Sequence, residues 1–244
     1  MADTTTKWKI QFRTTDDSDI LFYEPFSICG IEFQVNENRM STDRWFVALM
    51  DLEIPHDNFS NAIDIAYKKL VNIFTAIALL HERYLTIDVN SLMATPLSSP
   101  FRGISRSHGQ VKKIVKMNAD EICKIEKILA LSMKNEYANS IFILLKEDNP
   151  YSGLNLYKLF ELIREDCNKK EFEKLIPKTQ GFTVSDFTNN LDKPHGVGLA
   201  HSRHSVSKGD ISKPMTLEQC KKFLLELLNN WIDKKISELE ESNS

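Results

Sequence analysis

The segment from Asp186 to Pro214, DFTNNLDKPHGVGLAHSRHSVSKGDISKP, gathers three of the chain's six histidines and three of its eight glycines. Imidazole changes charge near neutral pH and is also a common metal ligand, so His195, His201 and His204 could move protons or hold an ion. Beside them stand Arg203 and Lys208, cations able to steady a phosphate oxyanion. Three chemistries are open. In one, the histidines ligate a transition metal. In another, His204 and His201 act as general acid and base while Arg203 holds the phosphate, the set of groups that metal-free RNA cleavage needs. In the third, the histidines are solvated groups of a surface connection. The histidine spacing follows no zinc pattern and no cysteine lies nearby, so neither a metal nor any other cofactor is expected. Its polar, glycine-rich composition predicts a long connection between two helices with no part in a core, and such connections carry function disproportionately.

Two further sets of residues could take part. From Val89 to Ala119 the chain holds Arg102, Arg106, Lys112, Lys113 and Lys116 and no acidic residue. Interleaved with serine and glycine, these cations could track a nucleic-acid backbone or form a solvated basic face. Tyr157, Glu161 and Arg164 share one side of a helix. At that spacing Glu161 and Arg164 form a surface pair worth roughly a few tenths of a kcal/mol. Were that face to lie beneath the histidines, Glu161 could orient an imidazole. Of the other histidines, His56 follows a proline in a turn, and His81 falls in a last helical turn, where a cation suits the dipole.

The elements that must position these groups divide the chain in two. KWKIQF, DILFYE, IEFQV and RWFVALMDLEI are short, rich in β-branched and aromatic residues, and separated by polar clusters, so they predict an antiparallel sheet or half-barrel. Apolar residues recurring at three and four from Asn58 to about Arg83 predict a long helix on that sheet, with Asp57 or Asn58 as its N-cap. YLTIDVNSLMA reads as a further strand, Thr95 to Gly109 as a loop, and QVKKIVKM as a last strand closing the sheet. ADEICKIEKILALSMKN, NEYANSIFILLKED and LNLYKLFELIREDC then read as helices. Before the final helix, Thr216 and Gln219 form a capping box, Met215 can staple against Cys220, and Leu217, Cys220, Leu224, Leu227 and Trp231 share a face. The expectation is an α+β protein: residues 1–117 an antiparallel sheet with one long packed helix, and 118–244 an all-helical bundle.

Composition narrows the function classes. Hydrophobic residues make up 42% of the 244 and charged residues 27%, the balance of an ordinary globular protein. A formal net charge of −3 excludes a uniformly basic nucleic-acid coat. No run approaches the ~20 apolar residues that span a bilayer, and MADTTTKWK lacks the apolar core of a secretory signal, so a cytoplasmic protein without membrane contact is expected. The four cysteines are scattered, and Cys123 and Cys220 fall on apolar helical stripes, which predicts buried thiols.

The C-terminal third adds a resemblance. NLYKLFELIRED, a linker of little structure, a loop ending in RHS, then KPMTLEQC and an amphipathic helix ending in NNWI resemble uncharacterised bacterial proteins whose last helices are similar to the HEPN group, over about Leu154 to Ile232. HEPN domains are helical bundles of toxin and antiviral defence systems, and many are dimeric, metal-independent ribonucleases with an arginine followed a few positions later by a histidine at a helix end. This chain departs from that order: Arg203 directly precedes His204 with no histidine beyond it, and asparagine, at 189 or 190, stands where an arginine would serve His195. The resemblance implies a defence-associated or accessory protein that binds RNA, a protein partner or a second copy of itself, with His204, His201, Arg203 and Glu161 as the catalytic candidates of a ribonuclease. The alternative is a scaffold or assembly subunit without enzymatic activity.

Overall fold

The computed structural model describes residues 6–14, 21–22, 26–34, 45–55, 57–81, 87–96, 114–115, 117–147, 149–178, 181–192 and 214–242. The protein is α+β and forms two compact units, Met1–Leu129 and Ala130–Ser244. The division falls within helix α2, Ala119–Lys134, the first helix after the boundary expected at residue 117.

The first unit is built on β1 (Thr6–Thr14), β3 (Phe26–Ile28), β4 (Ile31–Gln34), β5 (Trp45–Leu52) and β6 (Ile87–Pro96), in the order β3-β4-β5-β1-β6. Every neighbouring pair is antiparallel. Period-two alternation sets the faces: Trp8, Ile10 and Phe12 are buried, while Lys7, Lys9 and Gln11 between them are not. Register stacks Trp8 beside Met50, Ile10 beside Ala48 and Phe12 beside Phe46. The long helix α1, Phe59–Leu80, carries Phe74 onto this face, its ring 5.5 Å from that of Phe12 and 6.3 Å from those of Phe33 and Phe46. Truncating so buried a phenylalanine costs about 3–5 kcal/mol. Asn58 caps α1, its side chain accepting from the Asn61 N–H at 3.3 Å.

Three details differ from the sequence reading. Strand β3 was not expected; it is only three residues long and joins β4 through Cys29 and Gly30, at φ 50° and 75°. With positive φ at both central positions this is a type I′ hairpin turn, and cysteine replaces the usual asparagine or glycine at the first. The Cys29 N–H is taken up by Glu126 of α2 at 2.9 Å. Next, β7 (Ile114–Val115) does not close the main sheet; it pairs in parallel with β2 (Leu21–Phe22) as a separate two-stranded sheet. Finally, Cys220 is buried but Cys123 is exposed, because the buried side of α2 runs through Ile125, Ile128 and Leu129.

The second unit consists of α3 (Glu136–Leu145), α4 (Gly153–Asp166), α5 (Lys169–Leu175), α6 (Val184–Asp192) and α7 (Leu217–Ser242), together with the end of α2. Helices α4 and α7 run side by side in the same direction. Lys221 lies over the Tyr151 ring at 4.8 Å at one end, and Asp166 meets Trp231 and Lys235 at the other. Leu156, Leu159, Phe160 and Ile163 from α4 and Phe223, Leu224, Leu227 and Leu228 from α7 fill the core. The stretch between α4 and the histidines is not a linker of little structure. It holds α5, started by a capping box between Asn168 and Glu171, and α6. Among the described residues no helix is long and apolar enough to cross a membrane.

Candidate functional site

Most of the residues singled out for chemistry, namely His195, His201, Arg203 and His204, and Arg102, Arg106, Lys112, Lys113 and Lys116, lie outside the described residues. Helix α6 and the start of α7 define where the histidine segment is rooted.

The segment does not begin as a surface connection at Asp186. Thr183 and Asp186 cap a helix there: the Asp186 carboxylate accepts from the Thr183 N–H at 2.8 Å and its hydroxyl at 2.9 Å, and the Asp186 N–H donates to the Thr183 hydroxyl at 3.1 Å. One turn of helix follows another, and Phe187 and Leu191 share a face. Both are fully buried, with the Phe187 ring 5.3 Å from Phe160 of α4 and 5.1 Å from Phe223 of α7, stacked on the latter. So the first part of the segment is core, contrary to its polar composition, because two aromatic neighbours accept the only large apolar side chains it has.

Asn190 is also fully buried, and its carboxamide is used at both ends. Its Nδ2 donates to the Asp186 carbonyl at 2.7 Å, and its Oδ1 accepts from the Met215 N–H at 2.7 Å. Met215, itself buried, stands just before α7. One side chain therefore ties the last turn of α6 to the entrance of α7. The entrance is fixed in turn by the expected capping box. Thr216 N–H donates to the Gln219 side chain at 2.7 Å, and Gln219 N–H to the Thr216 hydroxyl at 3.2 Å.

Glu161 lies on α4 next to Phe160, partly exposed, with an oxygen 4.0 Å from Arg164 Nη2. Arg164 is half exposed and its guanidinium lies 5.6 Å from the Phe160 ring centre. This is the surface pair, worth roughly a few tenths of a kcal/mol. Tyr157, expected on the same side, is instead buried against Phe160, ring centres 6.2 Å apart.

The strongest charge cluster was not anticipated from sequence. At the far end of the α4–α7 pair, Asp166 accepts from Trp231 Nε1 at 2.9 Å and lies 2.7 Å from Lys235 Nζ, in a pair whose side chains are only 10% and 12% exposed. Lys235 also reaches Glu238 at 3.1 Å, and Lys234 reaches Glu238 at 2.8 Å and Glu171 at 3.5 Å. Burial alone would lower the Lys235 pKa, but its hydrogen bonds to Asp166 and Glu238 outweigh that and hold it raised. The bond from Lys234, joined by that from Lys235, holds the Glu238 carboxyl below its ordinary range against a smaller opposing effect of burial. Every charge here has a partner on a neighbouring turn or helix, which makes the cluster a clamp for α7. Its only sequence signal was the pair of adjacent lysines one turn before a glutamate.

The opposite end differs. Between the end of α3 and the start of α4 lies an open depression of about 570 Å³ lined by Lys146, Glu147, Ser152, Leu154, Asn155 and Lys158. Asn155 is buried and donates to Glu147 at 2.8 Å and to the Asn149 carbonyl at 2.9 Å. Ser152 caps α4. Partial burial lowers the Lys146 pKa. Among the described residues no group of three or more histidine, cysteine or acidic side chains is placed to hold a metal. No protein-family model, curated protein or solved structure matches the chain.

Proposed function

We propose that this is an RNA-binding accessory protein of a bacterial defence system, with residues 193–213 as its contact element and His204, His201 and Arg203 as an acid, a base and a phosphate cation for metal-independent cleavage. The observation that carries the reading is the Asn190 tie. A polar segment rich in histidine, glycine and cations is held at both ends by a fully buried side chain on an aromatic core. A connection that only had to link α6 to α7 would not need its two ends fixed at one point, whereas a contact element gains from a rigid base. The reading also draws on the HEPN resemblance and on the helical character of the described residues of the second unit.

The test is incubation of the purified chain with labelled structured RNA in EDTA, alongside Arg203→Ala and His204→Ala. Cleavage by the wild type and its loss, about 100-fold or more, in each variant is the expected outcome. Cleavage that persists unchanged in both variants removes those residues from the reaction. A second reading, a protein-docking subunit, draws on exposed apolar side chains of the helical unit: Met133 is 81% exposed, Ile143 56% and Leu154 49%.

A further inference from the structure

The β3–β4 turn and helix α2 bring two cysteines of the first unit toward one another. Cys29, in the turn, has φ 50°, a left-handed conformation that glycine takes freely and that strains a residue with a Cβ. A turn that only reversed the chain would gain nothing from that strain, so a cysteine in this position points to a use for its sulfur. The Cys29 N–H donates to the Glu126 carboxylate of α2 at 2.9 Å.

Helix side chains lean toward the helix N-terminus, so the Glu126 carboxylate reaches back over the preceding turn of α2. Cys123 stands on that turn, three positions before Glu126 and on the same side. Both lie on the exposed side of α2, away from buried Ile125 and Ile128. Cys29 is exposed too, so a small oxidant in solution meets both thiols. A disulfide asks for Cα atoms about 4.4–6.8 Å apart. One helical turn, with Cβ atoms at i and i+3 about 5–6 Å apart, is of that size. A metal is a poorer use of the pair, because among the described residues no group of three or more histidine, cysteine or acidic side chains is placed to hold one.

We infer that Cys29 and Cys123 are a redox pair that a peroxide closes into a disulfide, fastening the β3–β4 hairpin to α2. The reaction has two steps. The Cys123 sulfur attacks hydrogen peroxide: an S–O bond forms, the O–O bond breaks, and the departing hydroxide leaves as water with the thiol proton. The Cys29 sulfur then attacks the Cys123 sulfenic acid: the S–S bond forms, the S–O bond breaks, and a second water leaves with the Cys29 proton. Two thiols are oxidised and one peroxide is reduced. The Cys29 thiol is pushed up by partial burial and then by the Glu126 charge, which makes it the slower of the two to meet peroxide as a thiolate. The inference is independent of the RNA-binding reading.

The experiment takes the full chain, reduced and then freed of reductant, through hydrogen peroxide and iodoacetamide, and maps its peptides without reduction. It compares the wild type with Cys29→Ser, Cys123→Ser and Glu126→Ala. In the wild type the Cys29 and Cys123 thiols are expected to be lost together, with a cross-linked peptide pair, lighter by two hydrogens, in protein of monomer mass. Neither serine variant should give that pair, and in Cys29→Ser dimedone should trap the sulfenic acid at Cys123. Glu126→Ala, which removes the bond holding the turn to α2, should slow the cross-link about tenfold. Wild-type oxidation that stops at a dimedone-trapped sulfenic acid, or disulfides that join two chains or reach Cys167 instead, would overturn the inference.

Discussion

The two ends of the α4–α7 pair use the same residue types in opposite ways. At one end Asp166, Glu171, Lys234, Lys235 and Glu238 are paired and Trp231 donates into the cluster. At the other, Lys146 and Lys158 face an open depression with no ion pair among the described residues. Paired charges, with Asp166 and Lys235 buried at their centre, fix a helix in place but have no valence left for a ligand. Unpaired ones at a surface add little to stability and remain available. The difference separates charges that hold the helical unit together from charges that have no ion-pair partner among the described residues.

The contrast is sharpest in Lys235. Replacing it with methionine keeps the stem but strands Asp166 in a site about nine-tenths buried, and should cost about 3 kcal/mol in urea denaturation. The same change at Lys146 should stay within about 0.5 kcal/mol. Equal costs at the two positions would erase the distinction. Asn190→Ala comes next: it orphans the buried Met215 N–H, so about 2 kcal/mol is expected, along with faster hydrogen exchange at Met215. An unchanged exchange rate there would mean that the two ends of the histidine segment are not held by this side chain.

The clamp also sets a pH dependence. Glu238 has a lowered pKa in the folded chain, so its contribution is present above its unfolded pKa and is lost as pH falls through the lowered value, below the ordinary carboxylate range. Lys235 has a raised pKa, so its contribution is present below its unfolded pKa and is lost as pH rises through the raised value. Glu238 is almost half exposed, so the Glu238→Gln variant should lose roughly a few tenths of a kcal/mol at neutral pH and show a flatter acid limb in urea midpoints. An acid limb identical to the wild type's would assign that loss of stability to other carboxylates. The smallest expected effect is chemical: Cys220, buried and with its thiol pushed up to about 12, should resist iodoacetamide in the folded chain while exposed Cys29 and Cys123 react.

Much of the fold was legible because strong local signals agreed with each other. Alternation in KWKIQF, periodicity through α1 and the Thr216–Gln219 box each predicted an element that forms. What escaped had weak local signals and depended on tertiary partners. Helix α6 offers only Phe187 and Leu191 as large apolar residues beyond its first turn, and they become core only because Phe160 and Phe223 lie against them. Strand β3 is three residues long and turns on a cysteine where asparagine or glycine would have signalled the hairpin. Cys123 and Cys220 both sat on apolar stripes, and only the orientation of each helix decided which was buried. The clamp could not be foreseen because Asp166 and Lys235 lie far apart in sequence. The histidine-rich segment was visible from its residue types alone, and the described residues supply its root, not its chemistry.

The central proposal is that residues 193–213 meet RNA. Photocrosslinking of a thiouridine-labelled single-stranded RNA to the full chain, followed by peptide mapping, tests it most directly. Crosslinks concentrated within 193–213 are the result this proposal predicts. Crosslinks confined to residues 1–129, or none at all, would contradict it.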